Sequence, residues 1–152
     1  MEKNLDLLLT EIKRIRTEMG EVVKQVDKSL TIYPGWTIKE MIGHITAWEI
    51  VINQALIAYQ NGDPPYFLHE QDFDVFNKEA VNHRGDWTLK KVLQEWKEVR
   101  AAVIKTIQKL KETDLTVEMV LPWGSERTVA ELIEIIGEHE SEHMGDAKKA
   151  TG

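Results

Sequence analysis

The chain has no cysteine among its 152 residues. That excludes disulfides, thiolate metal ligands and a cysteine nucleophile, and it is compatible with a reducing cytoplasm. The amino terminus lacks any continuous apolar run of signal-peptide or membrane-spanning type, because Met1-Glu2-Lys3-Asn4 passes straight into an amphipathic pattern. A cytoplasmic protein with no membrane partner is the expectation. Basic charge is scarce and dispersed within a formal net charge of −7. The only modest clusters, Lys13-Arg14-Arg16 and Lys148-Lys149, read as solvated helix surface. Phosphate neutralisation needs a local positive face, so no nucleic-acid partner is expected. Strand-like alternation is lacking except around Thr116 to Leu121, and no internal repeat or low-complexity segment is evident.

Helical periodicity is what the chain has in quantity. A hydrophobic fraction of 42% and a charged fraction of 30% are ordinary for a globular protein, and the length fits one domain over residues 1–152. Over about residues 4–29, Leu5, Leu8, Ile12, Ile15, Met19, Val22 and Val26 recur at spacings of three and four, one apolar stripe along a long helix. Tyr33-Pro34-Gly35 ends it. A second helix opens at Thr37, where Thr37 and Glu40 form a capping box and Trp36 and Met41 stand where a hydrophobic staple packs. Its face runs through Met41, Ile45, Trp48, Ile52 and Leu56 until Asn61-Gly62-Asp63-Pro64-Pro65 breaks it.

Residues 66–86 form a long connection with a short helix inside it over Asp72 to Asn82. A third long helix follows Asp86-Trp87-Thr88, with Leu89, Val92, Trp96, Val99, Val103, Ile107 and Leu110 on its stripe. A turn-rich loop, Leu121-Pro122-Trp123-Gly124-Ser125, leads to a last helix that starts at Thr128 with a capping box to Glu131. The pattern predicts an all-α four-helix bundle.

The chemistry is concentrated in the histidines. His139 and His143 are one turn apart on one helix face and continue the core stripe of Leu132 and Ile136. Two imidazoles in a bundle interior are poor packing material, since an unmet buried polar group costs ~1–3 kcal/mol. A divalent metal that takes one nitrogen from each ring removes that cost. His44 sits on the flank of the second helix's stripe and can supply a third nitrogen from another helix. Three protein ligands leave a position open for water or substrate, as in catalytic sites. His69 and His83 fall in or beside the long connection and read as solvated.

His139-Glu140-Ser141-Glu142-His143 also matches the H-E-x-x-H pattern of zinc proteases, with Glu140 as general base. The short tail after His143 contains neither His nor Glu to complete such a site, and the chain offers almost no strand edge for a peptide. Glu140 and Glu142 stay as candidate acid/base helpers, with a surface or ligand-supporting role as the plainer reading of each. Trp48 and Trp96 read as core packing. Trp123 is the one tryptophan considered for lining a pocket, with packing as the plainer reading.

Trp36-Thr37-Ile38-Lys39-Glu40-Met41-Ile42-Gly43-His44, with Thr128-Val129-Ala130-Glu131-Leu132 leading to His139-Glu140-Ser141-Glu142-His143-Met144-Gly145, resembles the DinB/YfiT-like family over nearly the whole chain. That resemblance implies a four-helix bundle, a three-histidine site at His44, His139 and His143, a divalent metal such as zinc or nickel, and a homodimer. It also implies transfer or isomerisation chemistry on low-molecular-weight thiols. Members often carry His, Arg and Gln where this chain has Glu142, Met144 and Asp146, departures that spare the ligands.

Two functions follow. The first is a metal-dependent transferase or hydrolase, acting on small electrophiles, whose thiol arrives as a cosubstrate. The second is a non-catalytic dimeric bundle, with Phe73 and Phe76 marking an interface, or a metal-free protective protein that binds small molecules. A sister group of such metal-free bundles resembles this chain in its long connection and Trp87 but is not marked by the terminal His pair.

Overall fold

The computed structural model describes residues 4–152. The amino-terminal pattern begins on residues 1–3, which lie outside the described residues. Helix α1 spans Leu5–Gln25 and is capped by Asn4, whose side chain accepts from the Leu7 N–H at 2.8 Å. Leu8, Ile12, Ile15, Met19 and Val22 of the expected stripe are buried. The helix stops short of residue 29 because the Asp27 carboxylate accepts from the Ser29 N–H at 2.8 Å and draws the chain into a turn.

Helix α2 spans Ile38–Asn61, and at its start Glu40 accepts from the Thr37 N–H at 2.8 Å. The short helix of the long connection is α3, Phe73–His83, capped by Asp72. Helix α4 covers Leu89–Gln108, with the Thr88 hydroxyl accepting from the Lys91 N–H at 3.1 Å. A 3-10 turn at Glu112–Thr116 leads into a small antiparallel hairpin, β1 (Glu118–Val120) paired to β2 (Glu126–Thr128) with Met119 opposite Arg127. The strand signal near 116–121 was therefore one arm of a hairpin closed by the Leu121–Ser125 turn, where Leu121 N–H donates to the Ser125 carbonyl at 2.7 Å. Helix α5, Val129–Thr151, starts from the Thr128–Glu131 capping box.

Helix α2 packs along α4 and α1 along α5, while α2 also meets α5 and α1 touches α4. The long helices thus form a ring in the order α1, α5, α2, α4. One end of the interior holds Ile12, Leu56, Val103, Ile107, Leu132 and Ile133, and the other Met19, Met41, Ile42, Val92, Trp96 and Met144. Helix α3 lays Phe76 and Ala80 on Ala47 and Val51 of α2. Phe76 is therefore local core, whereas Phe73 is 47% exposed. By length and hydropathy α2 is the one described helix apolar enough to cross a membrane, but 67% of that window is buried inside the bundle.

The two ends of the core are separated by charge. Glu49, Arg100 and Glu140 are 3%, 4% and 0% exposed. Arg100 Nε and Nη2 donate to the two Glu49 oxygens at 2.9 and 2.8 Å, and Arg16 Nε donates to Glu140 Oε1 at 2.9 Å. Arg16 Nη1 caps the Trp96 carbonyl at 3.0 Å, and Trp96 Nε1 donates to Glu140 Oε2 at 3.1 Å. This corrects two expectations. Arg16 is not solvated helix surface like its neighbour Arg14, and Glu140 is neither surface carboxylate nor a free base. Each is one half of a buried ion pair that joins α1 to α5.

Candidate metal centre

Helix α5 carries His139 and His143 on the face turned toward α2, and α2 presents His44 from a position that is 5% exposed. The three Nε2 atoms form a triangle, each 3.1 Å from the other two. His69 and His83 stand apart on the surface, His69 bonded to Glu79 at 3.1 Å.

A triangle of this kind cannot satisfy itself. Each neutral imidazole presents either a proton or a lone pair at Nε2, so among three such atoms at least two are alike and face each other at 3.1 Å. A cation that accepts all three lone pairs ends the conflict. Nitrogens on one divalent ion at ~2.0–2.1 Å stand roughly 2.9–3.4 Å apart for ligand angles between about 90° and 110°. The observed spacing falls in that window, and the three histidines form a group that could hold a metal ion. Three imidazoles suit zinc, nickel, copper or iron.

Electrostatics keep these rings neutral. Burial, followed by the neighbouring His139 and His143, pushes the His44 pKa down to about 3. Burial and His143 hold His139 at about 4. Burial also lowers His143, with Glu142 and Asp146 pulling the other way. Neutral imidazole is the form that ligates.

Two residues around the rings were not found from sequence. Tyr33 Oη lies 2.7 Å from His143 Nδ1 and donates to Asp146 Oδ2 at 2.5 Å. Burial and the Asp146 carboxylate raise the Tyr33 pKa, so the phenol keeps its proton. Asp146 had a findable signal, since it stands three residues beyond His143 on the same helix face. Tyr33 had none, because it lies on the turn between α1 and α2. Trp36, expected as a staple, packs on the His44 ring with centroids 5.1 Å apart and planes at 50°.

A cavity of about 330 Å³ opens over the cluster, lined by all three histidines with Trp48, Phe73, Asn77, Trp123 and Glu142 among its walls. Trp123, for which packing was the favoured reading, lines it. Trp48, expected to be core, lines it too: its Nε1 donates to Asn77 Oδ1 at 2.8 Å, and its ring lies 5.1 Å from Phe73 and 5.9 Å from Trp123. Of the two candidate helpers, Glu142 reaches this cavity. Glu140 does not line it and is bound instead to Arg16 and Trp96.

A helical bundle with convergent imidazoles from α2 and α5 under an aromatic-walled cavity is the class that fold and site define. Residues 11–147 match the model of the DinB superfamily, and the chain belongs to that family. No functionally curated protein matches it. Among solved structures, the colibactin self-resistance protein ClbS in complex with double-stranded DNA is similar with a TM-score of 0.81 at 12% identity, covering 99% of this chain and 97% of that one. The sibling lethal factor precursor DfsB gives 0.80 at 15% identity, covering 98% and 95%. An uncharacterised protein of Escherichia coli UTI89 gives 0.78 at 12% identity, covering 98% and 93%.

The ClbS complex overturns the expectation that nucleic acid is excluded as a partner, since a protein of this fold is crystallised on duplex DNA. The expectation rested on the lack of a basic stretch in the sequence, and that does not report where a fold brings separate lysines and arginines onto one face.

Proposed function

We propose that His44, His139 and His143 hold one divalent transition metal, zinc or nickel, and that the chain is a metal-dependent enzyme acting on small electrophiles as a thiol transferase or hydrolase. The observation that carries this is the Nε2 triangle with 3.1 Å sides, a spacing that frustrates free imidazoles and suits ligands. The aromatic cavity above it favours catalysis over a closed structural site, because a reactant has room beside the ligands.

When bound, such an ion supplies Lewis acidity that acidifies a water or thiol brought beside it. The chain has no cysteine, so a thiol enters as a cosubstrate. Trp48, Phe73 and Trp123 exclude water from the approach and hold the apolar part of a reactant. Trp48 occupies the Asn77 oxygen, which leaves the Asn77 amide N–H groups as donors. Glu142 is the carboxylate on the cavity wall and takes the acid/base role. A cysteine-free chain is compatible with the cytoplasm, and we place the protein there.

Elemental analysis of protein purified without a polyhistidine tag tests the site. The wild type is expected to carry about one equivalent of zinc or nickel, in line with one three-ligand site per chain, and His139→Ala to lose it. Equal, near-zero metal in both proteins would remove the proposal.

A further inference from the structure

The Tyr33 hydroxyl has one proton and two close neighbours, Asp146 Oδ2 at 2.5 Å and His143 Nδ1 at 2.7 Å. An ionised carboxylate only accepts, so the phenol proton lies toward Asp146. The second contact is then a hydrogen bond only if His143 Nδ1 carries a hydrogen and donates to the phenol oxygen. A neutral imidazole protonated at Nδ1 bears its lone pair at Nε2, the atom that faces His44 and His139.

We propose that Tyr33 and Asp146 are positioning residues that lock His143 in its Nδ1–H tautomer and so aim a bare Nε2 into the triangle. The chain Asp146–Tyr33–His143 places a phenol between carboxylate and imidazole, where ligating histidines usually meet the carboxylate directly.

The turn that delivers Tyr33 is built for the purpose. Pro34 and Gly35 occupy its centre, Gly35 at φ +80, and Trp36 N–H donates to the Tyr33 carbonyl at 2.8 Å. This is a type II pattern, which needs glycine at its third position. Trp36 on the same turn packs on His44. One four-residue turn therefore braces ligands from two helices.

The role toward an ion rests on the reading of the three histidines as ligands, but the tautomer does not. Long-range 15N–1H correlation spectra of metal-free protein, with His143 assigned through His143→Gln, read the tautomer directly. The expected wild-type result is Nδ1–H. Tyr33→Phe should convert His143 to a mixture or to Nε2–H, and Asp146→Ala should do the same. Asp146→Asn keeps an acceptor for the phenol and should retain Nδ1–H. Zinc titration against a chromophoric chelator should weaken about 10–100-fold in Tyr33→Phe, the range for loss of a partner behind a ligand. In Asp146→Asn it should weaken far less. Thermal unfolding of each variant without metal confirms that it folds. A wild-type Nε2–H signal, or a Tyr33→Phe variant with unchanged tautomer and zinc affinity, overturns the proposal. A wild type that binds no zinc yet shows Nδ1–H sensitive to Tyr33→Phe sinks the proposed function and leaves the tautomer lock standing.

Discussion

At the scale of single residues, the buried imidazoles make stability a function of acidity. Folded His44 and His139 are held at about 3 and about 4, against 6.5 for a free side chain. Below pH 6.5 the unfolded chain takes up protons at both positions while the folded chain refuses them, so acid favours unfolding. The chelator-stripped protein should therefore be fully stable above about pH 7, weaken as pH falls through 6, and stop losing stability from these two groups only below about 3, once both folded rings have protonated. The slope is at most ~3 kcal/mol per pH unit for two such groups. Urea unfolding at a series of pH values measures it, and the double variant His44→Gln, His139→Gln should lose most of the dependence. A wild type equally stable at pH 7 and pH 5 contradicts the burial and mutual repulsion assigned to these rings.

At the scale of elements, the ion pairs between helices define what Glu140 does. It is wholly buried and accepts from Arg16 and Trp96. Glu140→Ala leaves the Arg16 guanidinium without its principal partner inside the bundle and should destabilise the fold by ~3–5 kcal/mol, the cost of breaking one half of a buried pair. Denaturant unfolding reads this. A general base would behave oppositely, with Glu140→Gln abolishing activity at unchanged stability. The same region shows what sequence could and could not tell. Caps and stripes named the helices within a few residues, because Thr37–Glu40 and Thr128–Glu131 are local signals and apolar spacing reports burial directly. His139 and His143 were legible for that reason, as polar residues on an apolar face. Arg16, Arg100 and Glu140 were not. A charge beside a stripe is surface on a helix facing one neighbour, but in a ring of four helices each flank meets a second neighbour, and opposite charges from α1, α2, α4 and α5 bury one another there. Tyr33 was hidden differently, since its role depends on a turn being folded back onto a helix distant in sequence.

At the scale of the whole molecule, the triangle ties α2 to α5 across the ring, so an ion bound there resists global unfolding. The unfolded chain scatters His44 from the other two, which makes the site a property of the folded state. Binding to the folded state alone adds about 2.7 kcal/mol when free ligand is a hundred times Kd. For a domain of this size that corresponds to a rise in Tm of roughly 5–10 °C. Differential scanning calorimetry with and without zinc or nickel should show this shift, and a chelator should reverse it. His44→Ala should flatten the response as fully as His139→Ala or His143→Ala, although it lies on a different helix, because removing any corner dissolves the triangle. A metal-dependent rise that survives His44→Ala would mean that α5 alone supplies the binding energy, and the picture of two helices closing on one ion would fall with it.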